Sequence, residues 1–209
     1  IHPARILALT FTNRAAQNMR ERLASRDAIA ARRVNVHTFH GLCARILRVE
    51  ARTLGLSPSL WVHDEEDSEA LIQSLGVRDA RKAMFRLQAE LSNEPVGDAC
   101  LQRYATGEFS REPWAGSYIR ALSERGAVDF AGLVYLTRAA LTEIPAVAER
   151  WSSKFDWIQI DEVQDTHLSE YDVIRHLSAR AESLCLVGDL DQTIYGWRGS
   201  TPDRLIGRI

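Results

Sequence analysis

The amino-acid sequence predicts an α/β fold: a parallel, doubly wound sheet interrupted by an α-helical inserted subdomain. Four short apolar runs each end in polar residues that open a helical pattern, the alternation expected of a parallel sheet with helices on its faces. The segments between these runs carry apolar residues at helical spacing. From roughly residue 53 to 128 the pattern changes to helical segments without a convincing strand.

Taken in order, the first strand is Ile6-Leu7-Ala8-Leu9, running into Thr10, and Ala15, Ala16, Met19 and Leu23 form the apolar stripe of the helix after it. Val34-Asn35-Val36 is the second strand, running into His37-Thr38, with Phe39, Leu42, Cys43, Ile46 and Leu47 as the next stripe. In the insertion, Ala70–Leu75, Ala83–Leu91 and Trp114–Leu122 are helical, and Gly55, Pro58, Gly76, Pro95, Gly97, Gly107, Pro113 and Gly116 punctuate them as turns. Trp157-Ile158-Gln159-Ile160 is the third strand, ending in Asp161-Glu162, and Leu168, Tyr171, Ile174 and Leu177 form the third stripe. Leu184-Cys185-Leu186-Val187 is the fourth strand, ending in Gly188-Asp189. The sheet unit is thus expected to comprise 1–52 and 129–209, with 53–128 inserted. The flanking helices around 39–52 and 130–144 are left open to either unit. Ligands of doubly wound sheets bind beyond the carboxyl ends of the strands, so all four polar clusters are predicted to share one edge.

With 209 residues and 45% apolar content, the chain can bury one sizeable core, or one core and a satellite. No apolar run approaches the roughly 20 residues of a membrane helix. The opening Ile1-His2-Pro3-Ala4-Arg5 lacks a signal-peptide layout, so no membrane is expected and the expected compartment is the cytoplasm. Cys43, Cys100 and Cys185 are too few and too widely spaced for a disulfide framework, and are expected to be buried thiols. The net charge of −2 conceals an asymmetry: residues 1–52 hold ten Arg against Glu21, Asp27 and Glu50, a balance of +7 that leaves −9 for the remainder. Such a segment can meet a polyanion, although arginines on solvated helix faces give the same count. The chain opens on a strand without Met and closes on Leu205-Ile206-Gly207-Arg208-Ile209, and both ends read as cut.

Two stretches carry chemistry. In Ile158-Gln159-Ile160-Asp161-Glu162-Val163-Gln164-Asp165-Thr166, a carboxylate at the end of a buried strand can hold Mg²⁺ on a nucleotide's phosphates. The adjacent Glu can accept a proton from the attacking water, which is the Walker B arrangement. A bare Asp-Glu pair also serves as a plain helix cap, and Gln164 with Asp165 narrows the choice. In Val187-Gly188-Asp189-Leu190-Asp191-Gln192-Thr193-Ile194-Tyr195-Gly196-Trp197-Arg198-Gly199-Ser200, a strand end is expected to supply polar side chains toward a phosphate. Tyr195, Trp197 and Arg198 then supply the stacking and cationic groups suited to single-stranded nucleic acid, or else an aromatic turn packed on the core.

These stretches resemble motifs II and III of UvrD/Rep-type superfamily 1 helicases. Leu9-Thr10-Phe11-Thr12-Asn13-Arg14-Ala15-Ala16 is similar to that family's motif Ia, and His37-Thr38-Phe39-His40-Gly41-Leu42 to its motif Ib. Val128-Asp129-Phe130 before an apolar helix also matches the family pattern. The resemblance implies a RecA-like domain of the P-loop NTPase type, interrupted by a helical subdomain that guides DNA. It implies ATP and Mg²⁺ as cofactors, with Asp161, Asp189 and Gln192 binding the nucleotide, Asp161 on Mg²⁺, Glu162 activating water, and Gln192 sensing the γ-phosphate. Phe11, Asn13, Thr38, His40, Tyr195, Trp197 and Arg198 would line a single-strand track. The implied partners are single-stranded DNA, duplex junctions and a second RecA-like domain of the same parent chain, with movement from 3′ to 5′. A zinc reading of His37, His40 and Cys43 lacks a fourth ligand.

The sequence departs from the family at one point. Its only lysines are Lys82 and Lys154, neither follows a glycine, and no G-x-x-x-x-G-K-[ST] is present. The expectation is an incomplete portion of an ATP-dependent helicase, inactive as an ATPase by itself. The alternative is a degenerate helicase domain kept as a nucleic-acid-binding or regulatory module, which would have no need of Asp161, Glu162 and Gln192.

Overall fold

The computed structural model describes residues 1–189, which divide into two compact units. One comprises Ile1–Leu42 and the chain from Ala146 onward; the other is Cys43–Pro145.

In the first unit, β1 (Ile6–Thr10), β2 (Asn35–Thr38), β5 (Trp157–Ile160) and β6 (Ser183–Leu186) form a parallel sheet in the order β2-β1-β5-β6. Its α/β character and parallel sheet are those the sequence predicts. The register pairs Thr10 with Thr38, Leu9 with Ile160, and Ile160 with Leu186, so the four strands finish level. Central β1 is buried at Leu7, Ala8, Leu9 and Thr10, as a strand covered on both faces must be. The amino ends of β1 and β5 are clamped by the Arg5–Asp156 ion pair, which holds the Asp156 carboxyl below its ordinary range. Asn35 adds side-chain donation to the carbonyls of Ala4 and Ile6, at 2.9 and 3.3 Å.

Helix α1 (Asn13–Arg26) starts where Thr12 Oγ1 accepts the Ala15 N–H at 3.1 Å, and it stops at Asp27. The Asp27 carboxylate caps the short α2 (Ala28–Ala31) in turn. Met19 and Leu23 pack on Ala8, Ala16 and Val36. Among the helices that follow, α3 (Phe39–Val49) buries Phe39, Leu42, Cys43, Ile46 and Leu47, the stripe read from sequence.

The second unit takes in most of α3 and a series of helices: α4 (Ala51–Leu54), α5 (Glu65–Ser74), α6 (Ala80–Asn93), α7 (Cys100–Thr106), α8 (Ala115–Glu124) and α9 (Phe130–Glu143). It also contains a feature the sequence reading lacks. β3 (Trp61–His63) and β4 (Ala127–Asp129) pair in parallel as a separate two-stranded sheet, so the stretch 53–128 is not free of strands. Each is three residues long, too short to show an alternating pattern. Asp129 is buried where β4 ends; it takes the Gly132 N–H at 2.7 Å and the Tyr118 hydroxyl at 2.9 Å, capping α9. Burial pushes its carboxyl up, and those two donors oppose the push. Tyr104, Phe109 and Tyr135 stack at 5.6–6.0 Å to form the aromatic centre of this unit.

Back in the first unit, α10 (Pro145–Ser152) buries Trp151, and α11 (Leu168–Ser178) opens on a capping box in which Glu170 Oε2 accepts the His167 N–H at 2.9 Å. Cys43 and Cys100 are buried as expected, but Cys185 on edge strand β6 is only half-buried, since β6 has a neighbour on one side only among the described residues. No single helix among the described residues is long and apolar enough to cross a membrane.

Candidate functional site

Every strand of the four-stranded sheet ends toward the same edge, and the residues singled out from sequence sort along it. Thr38 and His40 follow β2, Phe11 and Asn13 follow β1, Asp161 and Glu162 follow β5, and Asp189 follows β6. Among the described residues, the nucleic-acid candidates therefore follow β2 and β1, and the carboxylates follow β5 and β6. Gln192, Tyr195, Trp197 and Arg198 lie outside the described residues.

The turn after β5 is tight. The Asp161 N–H donates to the Leu9 carbonyl at 2.9 Å, extending the sheet ladder by one residue. Glu162 then enters the left-handed region, φ 56°, ψ 44°, and a 3-10 turn over Val163–Asp165 follows. A non-glycine residue there costs about 1–2 kcal/mol. Such strain persists only where surrounding bonds impose it. Here those bonds are Val163 N–H to the Val187 carbonyl (3.0 Å), Asp165 N–H to Glu162 (3.0 Å) and Thr166 N–H to Val163 (3.1 Å). The effect is to lift the Glu162 side chain out to solvent at the strand end.

Asp161 is half-buried, and its carboxylate takes no hydrogen bond from any described residue. It borders a small cleft between the ends of β1 and β5, lined by Leu9, Thr10, Phe11, Phe39, Ile160, Asp161, Thr166, Glu170 and Ile174. One cleft thus joins a nucleic-acid candidate, Phe11, to a cation candidate, Asp161. Glu162 Oε2 accepts Nε2 of Gln164 at 2.6 Å, and Oε1 of the same buried amide accepts the Asp189 N–H at 3.1 Å. Asp165 presents a buried Oδ1 without a partner among the described residues, and burial followed by repulsion from Glu162 raises its carboxyl above the ordinary range.

These groups fit one mode of magnesium binding. Mg²⁺ keeps several waters and is held by one or two carboxylates together with substrate phosphates. Asp161 supplies such a carboxylate, whereas no three His, Cys, Asp or Glu side chains converge into a protein cage among the described residues. Of the two lysines, Lys82 belongs to the other unit, exposed on α6. Lys154 precedes the amino end of β5, the opposite end of that strand, with its ammonium 4.4 Å from the Trp151 ring centroid.

On the other half, Phe11 is half-buried and Asn13 is exposed at the first turn of α1. Thr38 Oγ1 accepts the Gly41 N–H at 3.2 Å, which seats the start of α3, and the His40 ring stands edge-on to Phe39 at 6.1 Å. Sequence reasoning does not single out Thr166 and Glu170 in the cleft, and it assigns Gln164 no role of its own. Their signal is polar character combined with burial, which a linear sequence does not display.

The sequence pattern of the UvrD/REP helicase N-terminal domain matches residues 1–207. Relatives similar over nearly the whole chain include two staphylococcal proteins. The ATP-dependent DNA helicase PcrA of Staphylococcus aureus is 35% identical over 210 residues, covering 96% of this chain and 29% of its own length. The ATP-dependent DNA helicase PcrA of Staphylococcus epidermidis is 32% identical over the same shares. The chain thus spans less than a third of the length of these relatives.

Proposed function

This chain belongs to the UvrD/REP helicase N-terminal domain family, and from that premise we propose that it forms part of an ATP-dependent DNA helicase that couples ATP hydrolysis to 3′-to-5′ movement on single-stranded DNA. The observation that supports this reading best is the shared sheet edge, where Asp161 and Phe11 line one cleft and Glu162 stands exposed at the strand end beside them.

In this reading Asp161 holds Mg²⁺ through its carboxylate, and Glu162 takes the proton of the water attacking the γ-phosphate. Held there, Mg²⁺ would neutralise charge on the phosphates. Asp189 and Gln192 serve the nucleotide, with Gln192 sensing its γ-phosphate. Phe11, Asn13, Thr38 and His40, with Tyr195, Trp197 and Arg198, line the single strand. The partners are single-stranded DNA, duplex junctions and a second RecA-like domain of the same parent chain, which in this reading supplies an arginine to the transferring phosphoryl group. A helicase assay on the full-length parent tests the reading. Duplexes with a 3′ single-stranded tail are expected to unwind with ATP, and those with only a 5′ tail are not. Unwinding restricted to 5′ tails, or none with either, would sink it. The 209-residue chain itself, with no Gly-Lys pair to cradle phosphates, is expected to show no DNA-stimulated turnover in the parallel ATPase assay.

The DNA side of the proposal has its own test. If the Trp197 ring stacks on a base, Trp197→Ala in the parent removes about 1–3 kcal/mol of single-strand binding with little sequence preference. If Arg198 meets a phosphate, Arg198→Ala lowers the slope of log affinity against log salt by about 1. Equilibrium titrations at several salt concentrations separate the two. Unchanged affinity in a folded Trp197→Ala protein would remove Trp197 from the proposed single-strand track.

A further inference from the structure

We infer that Gln164 is a positioning residue for this site, holding the Glu162 carboxylate with one end of its amide and the chain leaving β6 with the other. The inference rests on the reading of Glu162 as the group that accepts the water's proton.

Gln164 is 2% exposed, although it lies in a polar turn between Glu162, which is exposed, and Asp165. A side-chain amide has an acceptor end and a donor end, and the bonding partners decide which way it faces. Here only one orientation works. The Asp189 N–H is a donor and must meet the oxygen, which it does at 3.1 Å, so the NH₂ group necessarily faces Glu162, whose Oε2 it reaches at 2.6 Å. Donation to an anionic oxygen is the stronger kind of hydrogen bond. It selects one position for a side chain that otherwise projects into solvent.

The approach of the β6 exit is built in as well. A Cβ on Gly188 would sit 2.4 Å from Gln164 Oε1 and 2.9 Å from Val163 Cγ1, so a larger residue there displaces the amide oxygen that Asp189 donates to. Val163 N–H and the Val187 carbonyl close the other side of the same contact at 3.0 Å. Asp189 precedes Gln192 by three residues in the sequence. A shift of the chain at Asp189 is therefore transmitted, through two hydrogen bonds on one amide, to the Glu162 carboxylate.

The test is ATP turnover by the full-length parent with saturating single-stranded DNA. Gln164→Leu, which removes both bonds, and Gln164→Glu, which keeps an acceptor for Asp189 but turns the donor into a repelling carboxylate, are both expected to lower kcat. The fall expected is about 10- to 100-fold, the scale of a ~1 Å misplacement, with the KM for ATP and the DNA affinity held within about twofold. Gly188→Ala keeps the amide but forces it aside, and is expected to lower kcat in the same direction. Wild-type kcat in a folded Gln164 variant overturns the inference. So does a loss of nucleotide and DNA affinity equal to the loss of kcat, which is what a merely structural role produces. Should neither Gln164 variant fold, wild-type kcat in Gly188→Ala overturns it. Glu162→Gln, run beside these, separates the two levels: if it turns over ATP normally, the reading of Glu162 fails. If it is inactive while the Gln164 variants are normal, only the present inference fails.

Discussion

Glu162→Gln in the full-length parent is expected to lower ATP hydrolysis by about 10²–10⁴-fold while leaving ATP binding largely intact, the range for loss of a positioned general base. The substitution is nearly isosteric. Its amide oxygen can still accept the Gln164 Nε2 donor that Glu162 Oε2 accepts at 2.6 Å, and the left-handed backbone at φ 56° is no worse for Gln than for Glu. What the amide cannot do is take a proton from water. In the proposed reading, binding depends instead on groups the change leaves alone, Asp161 among them. Single-turnover hydrolysis and equilibrium nucleotide binding, measured on the same preparation, separate the two quantities. Hydrolysis at the wild-type rate would make Glu162 a strained turn residue with no part in the chemistry. A parallel loss of binding would mean that its carboxylate holds the cation together with Asp161.

The strands that position this site are legible because each is a run of apolar residues broken abruptly by polar ones. Ile158 and Ile160 are buried and Asp161 follows at once, and that juxtaposition marks both a central strand and the end of it where a ligand site is expected. The small sheet is not legible. In β3 the apolar run is only Leu60-Trp61-Val62, broken at once by His63-Asp64, too short to tell a strand from a turn; its pairing with β4, 66 residues later at Trp61↔Ala127, is what makes it one. Gln164 is hidden for a related reason. Its second partner, Asp189, lies 25 residues on, and the closeness of the two depends on a glycine that looks like ordinary turn punctuation. The strain at Glu162 is also invisible in the sequence, because the left-handed conformation there is imposed by the bonds of Val163, Asp165 and Thr166 and not by a residue that prefers it.

Gly107 and Gly116 look like turn signals in the sequence, and the structure gives them a stronger role from which a large loss of stability is expected. Gly107 ends α7 at φ 78°, and a Cβ there would lie 2.4 Å from the backbone N and 2.5 Å from the Cα of Gly116, near the start of α8. Seen from the other side, a Cβ on Gly116 would lie 2.6 Å from the Thr106 carbonyl oxygen. Backbone meets backbone at this corner, so no flexible side-chain tip is available to move aside. Gly107→Ala therefore combines left-handed strain of about 1–2 kcal/mol with overpacking of about 1–3 kcal/mol, roughly 2–5 kcal/mol in all. Two other glycines of the same unit separate these contributions. Gly55, at φ 66° with nothing within 4 Å of where a Cβ would sit, should show on substitution by Ala only the strain, about 1–2 kcal/mol. Gly97 has neither a positive φ nor a neighbour within 4 Å, and Gly97→Ala should be neutral or stabilise by about 0.4–1 kcal/mol through the unfolded chain. Urea midpoints at constant m-value rank the three. If Gly107→Ala proves no more costly than Gly55→Ala, the α7–α8 corner is looser than a backbone-to-backbone contact allows, and Gly116 loses its packing role with it.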